Sequence, residues 1–229
     1  MQILLTNDDG IDAAGLRHLA DALKPLGRLT VVAPVDCRSC CSHSITTSRQ
    51  VSVEQLDVER YRVAGFPADC IRIALSHLGL QPDLVISGIN HGANVGLDIW
   101  TSGTIAAARE ASFHGVPAVA ISQYLHQALE TCWVTSARWS RSVLERILEQ
   151  GGADQPAGLW NVNLPVQSDA SLPEPEIAFC QPDDSPMPIT YHGDDSQLRY
   201  RSNFHERPRR LGSDIDHCFT GRISVSRLA

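Results

Sequence analysis

Short apolar runs alternate with helix-patterned segments over the first 165 residues, and that alternation leaves few folds open. Runs at residues 3–5, 29–33, 84–86, 118–121 and 159–162 have the length of buried strands, several of them bounded by turn-forming residues. Between them, residues 14–23 place Leu16, Leu19, Ala20 and Leu23 on one helical face. Residues 67–78 begin at Pro67, well suited to a first helical turn, and run through Ile71, Ala74, Leu75 and Leu78. Residues 104–114 form an alanine-rich helical segment, and 127–149 carry Val143, Leu144, Ile147 and Leu148 as an apolar stripe. Strand and helix in alternation make an α/β fold: a mostly parallel sheet with helices on both faces, three layers in all.

Residues 51–63 read as two further short strands. Composition changes after Pro165, where residues 166–190 become rich in Pro, Asp and Ser. The later apolar runs, at 177–179, 189–191, 198–200 and 223–225, are short and read as an antiparallel β extension. The expected organisation is a core over residues 1–165 with an extension over 166–229, within a single domain.

The first strand ends in Thr6-Asn7-Asp8-Asp9-Gly10-Ile11. In open α/β sheets the ligand crevice lies at the carboxyl ends of the strands, so Asp8 and Asp9 are expected at the mouth of a site. Adjacent carboxylates repel unless a cation or a shared proton relieves them, and Mg²⁺ and Mn²⁺ favour such oxygen ligands. The same residues also suit an ordinary solvated turn. Two more segments fall near strand ends. Ser87-Gly88-Ile89-Asn90-His91-Gly92-Ala93-Asn94 opens a glycine-rich loop whose asparagine carbonyls can complete an oxygen shell. Ser102-Gly103-Thr104 opens the alanine-rich helix, where unpaired N–H groups and the helix dipole favour an anion such as phosphate. A Ser102 that merely caps the helix is the alternative.

Several classes are excluded. Neither a dinucleotide Gly-x-Gly-x-x-Gly nor a Gly-x-x-x-x-Gly-Lys phosphate loop occurs. A net charge of −7 gives no global basic field for nucleic acid, and no apolar stretch approaches a membrane span. Seven cysteines cannot all pair internally. With no export signal at the N-terminus, a reducing cytoplasm is the expected compartment. Lys24 is the sole lysine among nineteen Lys and Arg residues, which removes mechanisms that need a lysine at the site unless Lys24 supplies it.

Together these segments resemble the SurE (survival protein E) family of metal-dependent nucleotidases. The matching stretches are Thr6 to Ile11 as written above, Val32-Ala33-Pro34 with Ser39 and His43-Ser44-Ile45-Thr46, and Pro67-Ala68-Asp69-Cys70. Pro82-Asp83-Leu84-Val85-Ile86-Ser87-Gly88-Ile89-Asn90 and Ser102-Gly103-Thr104 complete them, in the family's order. The resemblance implies a Rossmann-like core and removal of phosphate from nucleoside 5′-monophosphates, often also from 3′-monophosphates and in some members from short polyphosphate. It implies one divalent metal ion, Mn²⁺ or Mg²⁺, held by Asp8, Asp9, Ser39 and Asn90, and a C-terminal extension used for dimer or tetramer assembly. Phosphate is then expected between that metal and the helix start, at Asn94, Ser102, Gly103 and Thr104. Asp8 and Asp9 are the catalytic candidates, either activating water for in-line attack or forming an aspartyl phosphate. A non-catalytic nucleotide-binding module would keep the phosphate contacts and lose the metal ligands, all of which are present.

The chain departs from the family pattern twice. The segment around Ser39 reads Cys37-Arg38-Ser39-Cys40-Cys41-Ser42-His43. Its Cys-x-x-Cys lacks the second ligand pair of a zinc site, so Cys40 and Cys41 are expected to pack as small apolar groups. The C-terminus is short, with Gly212-Ser213-Asp214-Ile215-Asp216 as a remnant of an acidic motif, which favours a homodimer and puts a tetramer in doubt. The basic run Arg199, Arg201, Arg207, Arg209 and Arg210 reads as a solvated or subunit-contact face, or as a phosphate contact. Trp100 is a candidate to stack on a nucleobase, with burial as its alternative.

Overall fold

The computed structural model describes residues 1–126, 129–151, 158–194, 196–201 and 204–228. In chain order the elements are β1 (Gln2–Thr6), α1 (Ala14–Leu23), β2 (Arg28–Pro34), β3 (Val53–Asp57), β4 (Arg60–Val63), α2 (Pro67–Ser76) and β5 (Leu84–His91). There follow α3 (Gly103–Phe113), β6 (Ala118–Gln123), α4 (Trp133–Gly151), β7 (Leu159–Leu164), β8 (Ile177–Phe179), β9 (Thr190–Gly193), β10 (Leu198–Arg201), α5 (Asp214–Phe219) and β11 (Ile223–Arg227).

Nine strands form one sheet in the order β3-β4-β2-β1-β5-β6-β7-β11-β8. The pairings from β4 through β7 are all parallel, as the strand and helix alternation requires. Helices α1 and α4 cover one face, burying Leu16, Leu19, Leu23, Val143 and Leu144 against Ile3, Leu5 and Ile86. Helices α2 and α3 cover the other, where Ile71, Ala74, Ile105 and Ala108 meet Leu4, Val32 and Val85. Helix α3 is buried almost throughout, and its run of alanines lets it lie close against both the sheet and α2.

Three elements differ from the sequence expectation. Strand β5 continues past Ile86 to His91. It does so because Gly88 takes φ +145, and a Cβ there would stand 2.3 Å from the Ile121 carbonyl oxygen of β6. That slip in register carries Asn90 and His91 out to the strand's carboxyl end. Helix α4 begins at Trp133 rather than 127; residues 127 and 128 lie outside the described residues. Finally, the C-terminal strands divide. Only β9 and β10 form the separate antiparallel pair, while β11 enters the main sheet antiparallel to β7 and carries β8 parallel beside it. Among the described residues no helix is long and apolar enough to cross a membrane.

Candidate active site

The site is built where β1 and β5 end and α3 begins. After β1, the Asn7 side chain closes a turn by accepting the Gly10 N–H (3.2 Å) and donating to its carbonyl (2.9 Å). This turn holds Asp8 and Asp9 at the strand's carboxyl end. Asp8 is only 4% exposed. Its Oδ1 accepts the Thr104 hydroxyl at 2.6 Å and its Oδ2 accepts the Thr104 N–H at 3.1 Å. The carboxylate thus sits on the N-terminus of α3, where unpaired donors and the helix dipole favour negative charge. Burial nevertheless pushes its pKa up to about 6, against the pull of the Thr104 hydroxyl and with a push from Asp9. A Cβ on Gly103 would stand 2.8 Å from the Cys41 sulfur and 2.9 Å from Asp8 Oδ2, so only glycine admits the carboxylate this close.

Asp9 turns the other way. Its Oδ2 accepts the His91 N–H at 2.9 Å, which ties it to the end of β5 beside Asn90. Burial raises its pKa as well, opposed by the His91 N–H. Asn90 donates its amide to the Gly92 carbonyl at 2.7 Å, which spends the nitrogen and leaves the oxygen for a ligand. Ser39 lies exposed in a turn, its hydroxyl 3.0 Å from the Cys37 sulfur. That loop is strapped to the site at several points. The Arg38 N–H donates to the Asp8 carbonyl (2.6 Å) and Ser42 bonds to the carbonyls of Thr101 (3.0 Å) and Trp100 (2.8 Å). Thr46 bonds twice to Asp69, and His43 meets Glu110 at 2.7 Å. All four candidate metal donors therefore come from segments that hydrogen bond to one another at the carboxyl ends of the central strands.

The candidate phosphate residues separate. Ser102 caps α3 by accepting the Ile105 N–H at 3.1 Å. Thr104 spends both its donors on Asp8. Asn94 is drawn toward β6 and β7, donating to Asn163 and Ser122 while its carbonyl accepts from Asn161 and Asn163. Among the described residues no hydrogen bond joins Asn94 to Asp8 or Asp9.

Other expectations change. Cys41 is half-buried against Gly103, but Cys40 is exposed at φ +55 and does not pack as an apolar group, because the turn carries it outward. Among the described residues no group of three or more His, Cys, Asp and Glu side chains is arranged to hold a metal, so the candidate set is two carboxylates completed by a hydroxyl and an amide. Of the basic run, Arg199 and Arg201 are exposed, but Arg207 is buried and paired with Asp98, and Arg209 and Arg210 pair with Asp216 and Asp184. Trp100 is 65% exposed, with the Arg109 guanidinium 5.4 Å from its ring.

Sequence reading missed what holds the glycine-rich loop from behind. Asp214 is fully buried; it accepts the Gly96 N–H through one oxygen and the Asp183 N–H through the other, both at 2.8 Å. With Arg207 on Asp98, the C-terminal segment thereby anchors residues 96–98. The acidic remnant around Asp214 was the available signal, but a carboxylate that binds backbone N–H groups leaves no periodic mark.

The profile of the Survival protein SurE family matches residues 3–184. This chain belongs to the SurE family. A relative from Nostoc sp. (strain PCC 7120) is 42% identical over 228 residues, covering 100% of this chain and 99% of its own length. The 5′-nucleotidase SurE of Paramagnetospirillum magneticum is 36% identical over 237 residues, covering 100% of this chain and 89% of its own. The crystal structure of the SurE protein from Aquifex aeolicus superposes with a TM-score of 0.82 at 28% identity, covering 100% of this chain and 93% of that one.

Proposed function

We infer that this chain is a 5′-nucleotidase, removing phosphate from nucleoside 5′-monophosphates with a divalent cation held by Asp8, Asp9, Ser39 and Asn90. One observation carries the reading. Two adjacent carboxylates follow β1, Asp8 buried and Asp9 half-buried, and among the described residues neither has an arginine or lysine partner. Buried charges of this kind are paired or coordinate a metal. The donor set fits a hard cation, since every donor is oxygen, and Mn²⁺ and Mg²⁺ suit it equally. Such an ion supplies neutralisation of both carboxylates and polarisation of a phosphoryl oxygen.

The chain's own groups divide the remaining work. Thr104 immobilises Asp8. Among the described residues Asp9 has one oxygen bonded to the His91 N–H and no hydrogen bond on the other, so beside its place at the cation we assign it as the proton acceptor for an attacking water. The Gly103 N–H and the Ser102 hydroxyl proton have no partner among the described residues, and we assign them to the phosphate. Thr104 is assigned instead to Asp8, and Asn94 to holding the loop. Trp100, exposed beside this helix start with Arg109 against it, is assigned as the platform for the base. The free-standing β9–β10 hairpin exposes Tyr191, Leu198 and Tyr200, which supports a homodimer. The seven cysteines stand as free thiols, which supports a reducing compartment such as the cytoplasm.

The test is phosphate release from a panel of nucleoside 5′- and 3′-monophosphates and short polyphosphate, with Mn²⁺, with Mg²⁺ and with EDTA. Release that EDTA abolishes and one cation restores supports the reading and ranks the substrates. No release under any condition refutes it and leaves nucleotide binding without turnover. Trapping a phospho-enzyme would replace attack by water with an aspartyl phosphate.

A further inference from the structure

Arg38 stands immediately before Ser39, and its main-chain N–H is bonded to the Asp8 carbonyl. Its side chain is half-buried, with the guanidinium carbon 6.0 Å from the centre of the Phe66 ring at the start of α2. The guanidinium charge also acts on the Cys41 thiol, which lies against Gly103 at the start of α3. The side chain therefore lies in the region where the two helix starts and the Asp8 turn converge. Yet its Nε is fully buried and has no hydrogen-bond partner. Among the described residues no carboxylate pairs with it, whereas Arg28, Arg60, Arg62, Arg72 and Arg207 all have one.

A buried guanidinium N–H without an acceptor is costly, and native proteins rarely keep one unless something else fills the place. The missing partner must be an acceptor, anionic, and matched to a planar fork of donors. A phosphoryl group meets all three conditions. Charge balance points the same way. Asp8, Asp9 and a dianionic phosphomonoester carry four negative charges between them, of which one divalent cation cancels two. Lys24, the sole lysine, is paired with Asp21 at 2.7 Å on α1.

We propose that Arg38 binds the substrate's phosphoryl oxygens through its guanidinium, completing with the Gly103 N–H a phosphate site that the metal ligands alone leave unfinished. The proposal rests on the phosphomonoesterase reading above and adds a residue to it. Arg38 then does two things in one loop: its backbone fixes the turn that presents Ser39, and its side chain holds the anion.

Two titrations separate these roles. Binding of Mn²⁺ alone, and of inorganic phosphate to the Mn²⁺-loaded protein, are measured by calorimetry for wild type, Arg38→Lys and Arg38→Gln. Arg38→Gln is expected to weaken phosphate binding by roughly ten- to a hundredfold, the loss of a charge-assisted hydrogen bond, with Mn²⁺ binding held within about twofold. Arg38→Lys keeps the charge without the fork and should fall between them. In Arg38→Gln, added guanidinium ion should recover part of the lost phosphate binding. Unchanged phosphate binding overturns the proposal. A parallel loss of Mn²⁺ binding also overturns it, since Arg38 then acts only by shaping the Ser39 turn. Phosphate binding does not need turnover, so a wild type that binds phosphate through Arg38 but cleaves no monophosphate refutes the nucleotidase reading alone. A wild type that binds no inorganic phosphate with Mn²⁺ present overturns both.

Discussion

Replacing Asp8 with asparagine is expected to stabilise the metal-free protein while removing its metal-dependent turnover. Burial lifts the Asp8 carboxyl from an ordinary 3.8 to about 6. At about 1.4 kcal/mol per pKa unit, the ionised carboxylate costs the folded apo protein roughly 3 kcal/mol at neutral pH. The sign follows from a folded pKa above the unfolded one. The Asp8 contribution to stability is whole below about pH 4, is lost as pH rises to about 6, and is constant beyond, where both states are ionised. Asparagine keeps the shape and one oxygen for the Thr104 donors, but its amide nitrogen faces donors at the other position, a loss of about 1–2 kcal/mol. A net gain of about 1–2 kcal/mol is therefore expected near neutral pH. Urea unfolding in EDTA, at about pH 8 and about pH 4, measures it from the midpoints. Asp8→Asn should be the more stable protein at the higher pH and lose that advantage at the lower. A variant no more stable than wild type at about pH 8, or an advantage equal at both, would refute the reasoning.

Gly103→Ala should reduce kcat/KM far more than it reduces stability, which should fall by about 1–3 kcal/mol; its new methyl collides with Asp8 and Cys41, and steady-state kinetics beside urea unfolding compare the two losses. Glu110→Gln should destabilise by about 1–3 kcal/mol at neutral pH, because the buried carboxylate holds Arg72, His43 and His114. The Glu110 pKa is lowered, so its contribution is present above the unfolded value and lost as pH falls through the folded one. The gap between variant and wild type should therefore narrow in acid, opposite to Asp8→Asn, which unfolding across pH will show. Trp100→Ala should raise KM for nucleoside monophosphates roughly fivefold or more while leaving ribose 5-phosphate unaffected; an equal effect on both would remove Trp100 from base recognition.

The layers of the fold were legible because burial imposes a period. Leu16, Leu19 and Leu23 recur at helical spacing, and Ile3, Leu4 and Leu5 are apolar on both faces of a strand covered on both sides. That Asp8 and Asp9 stand at the carboxyl end of β1 was legible because the apolar run of residues 3–5 stops just before them. What escaped notice is held by single polar contacts. Nothing in the local pattern shows that Thr104 serves Asp8 rather than phosphate, or that Asn94 answers to Asn163. Nor does it reveal that Asp214 grips a loop at Gly96. Such contacts depend on where distant segments meet, and only the assembled sheet decides that. The placement of β11 escaped for the same reason: a run as short as Ile223-Ser224-Val225 reads alike at an edge and in the interior.

The position of β11 also bears on how the chain is made. The ribosome releases β8 well before β11, yet among the described residues β8 pairs in the sheet only with β11. Until β11 arrives, the β7 edge that it covers is open and β8 lacks its partner strand. The same late segment carries Asp214 and Arg207, whose contacts secure the loop leading into α3. A nascent chain can thus lay down the carboxylate turn early and still lack the framework that steadies the glycine-rich loop. The contacts that steady the glycine-rich loop are therefore expected to form only once β11 and the segment before it have emerged.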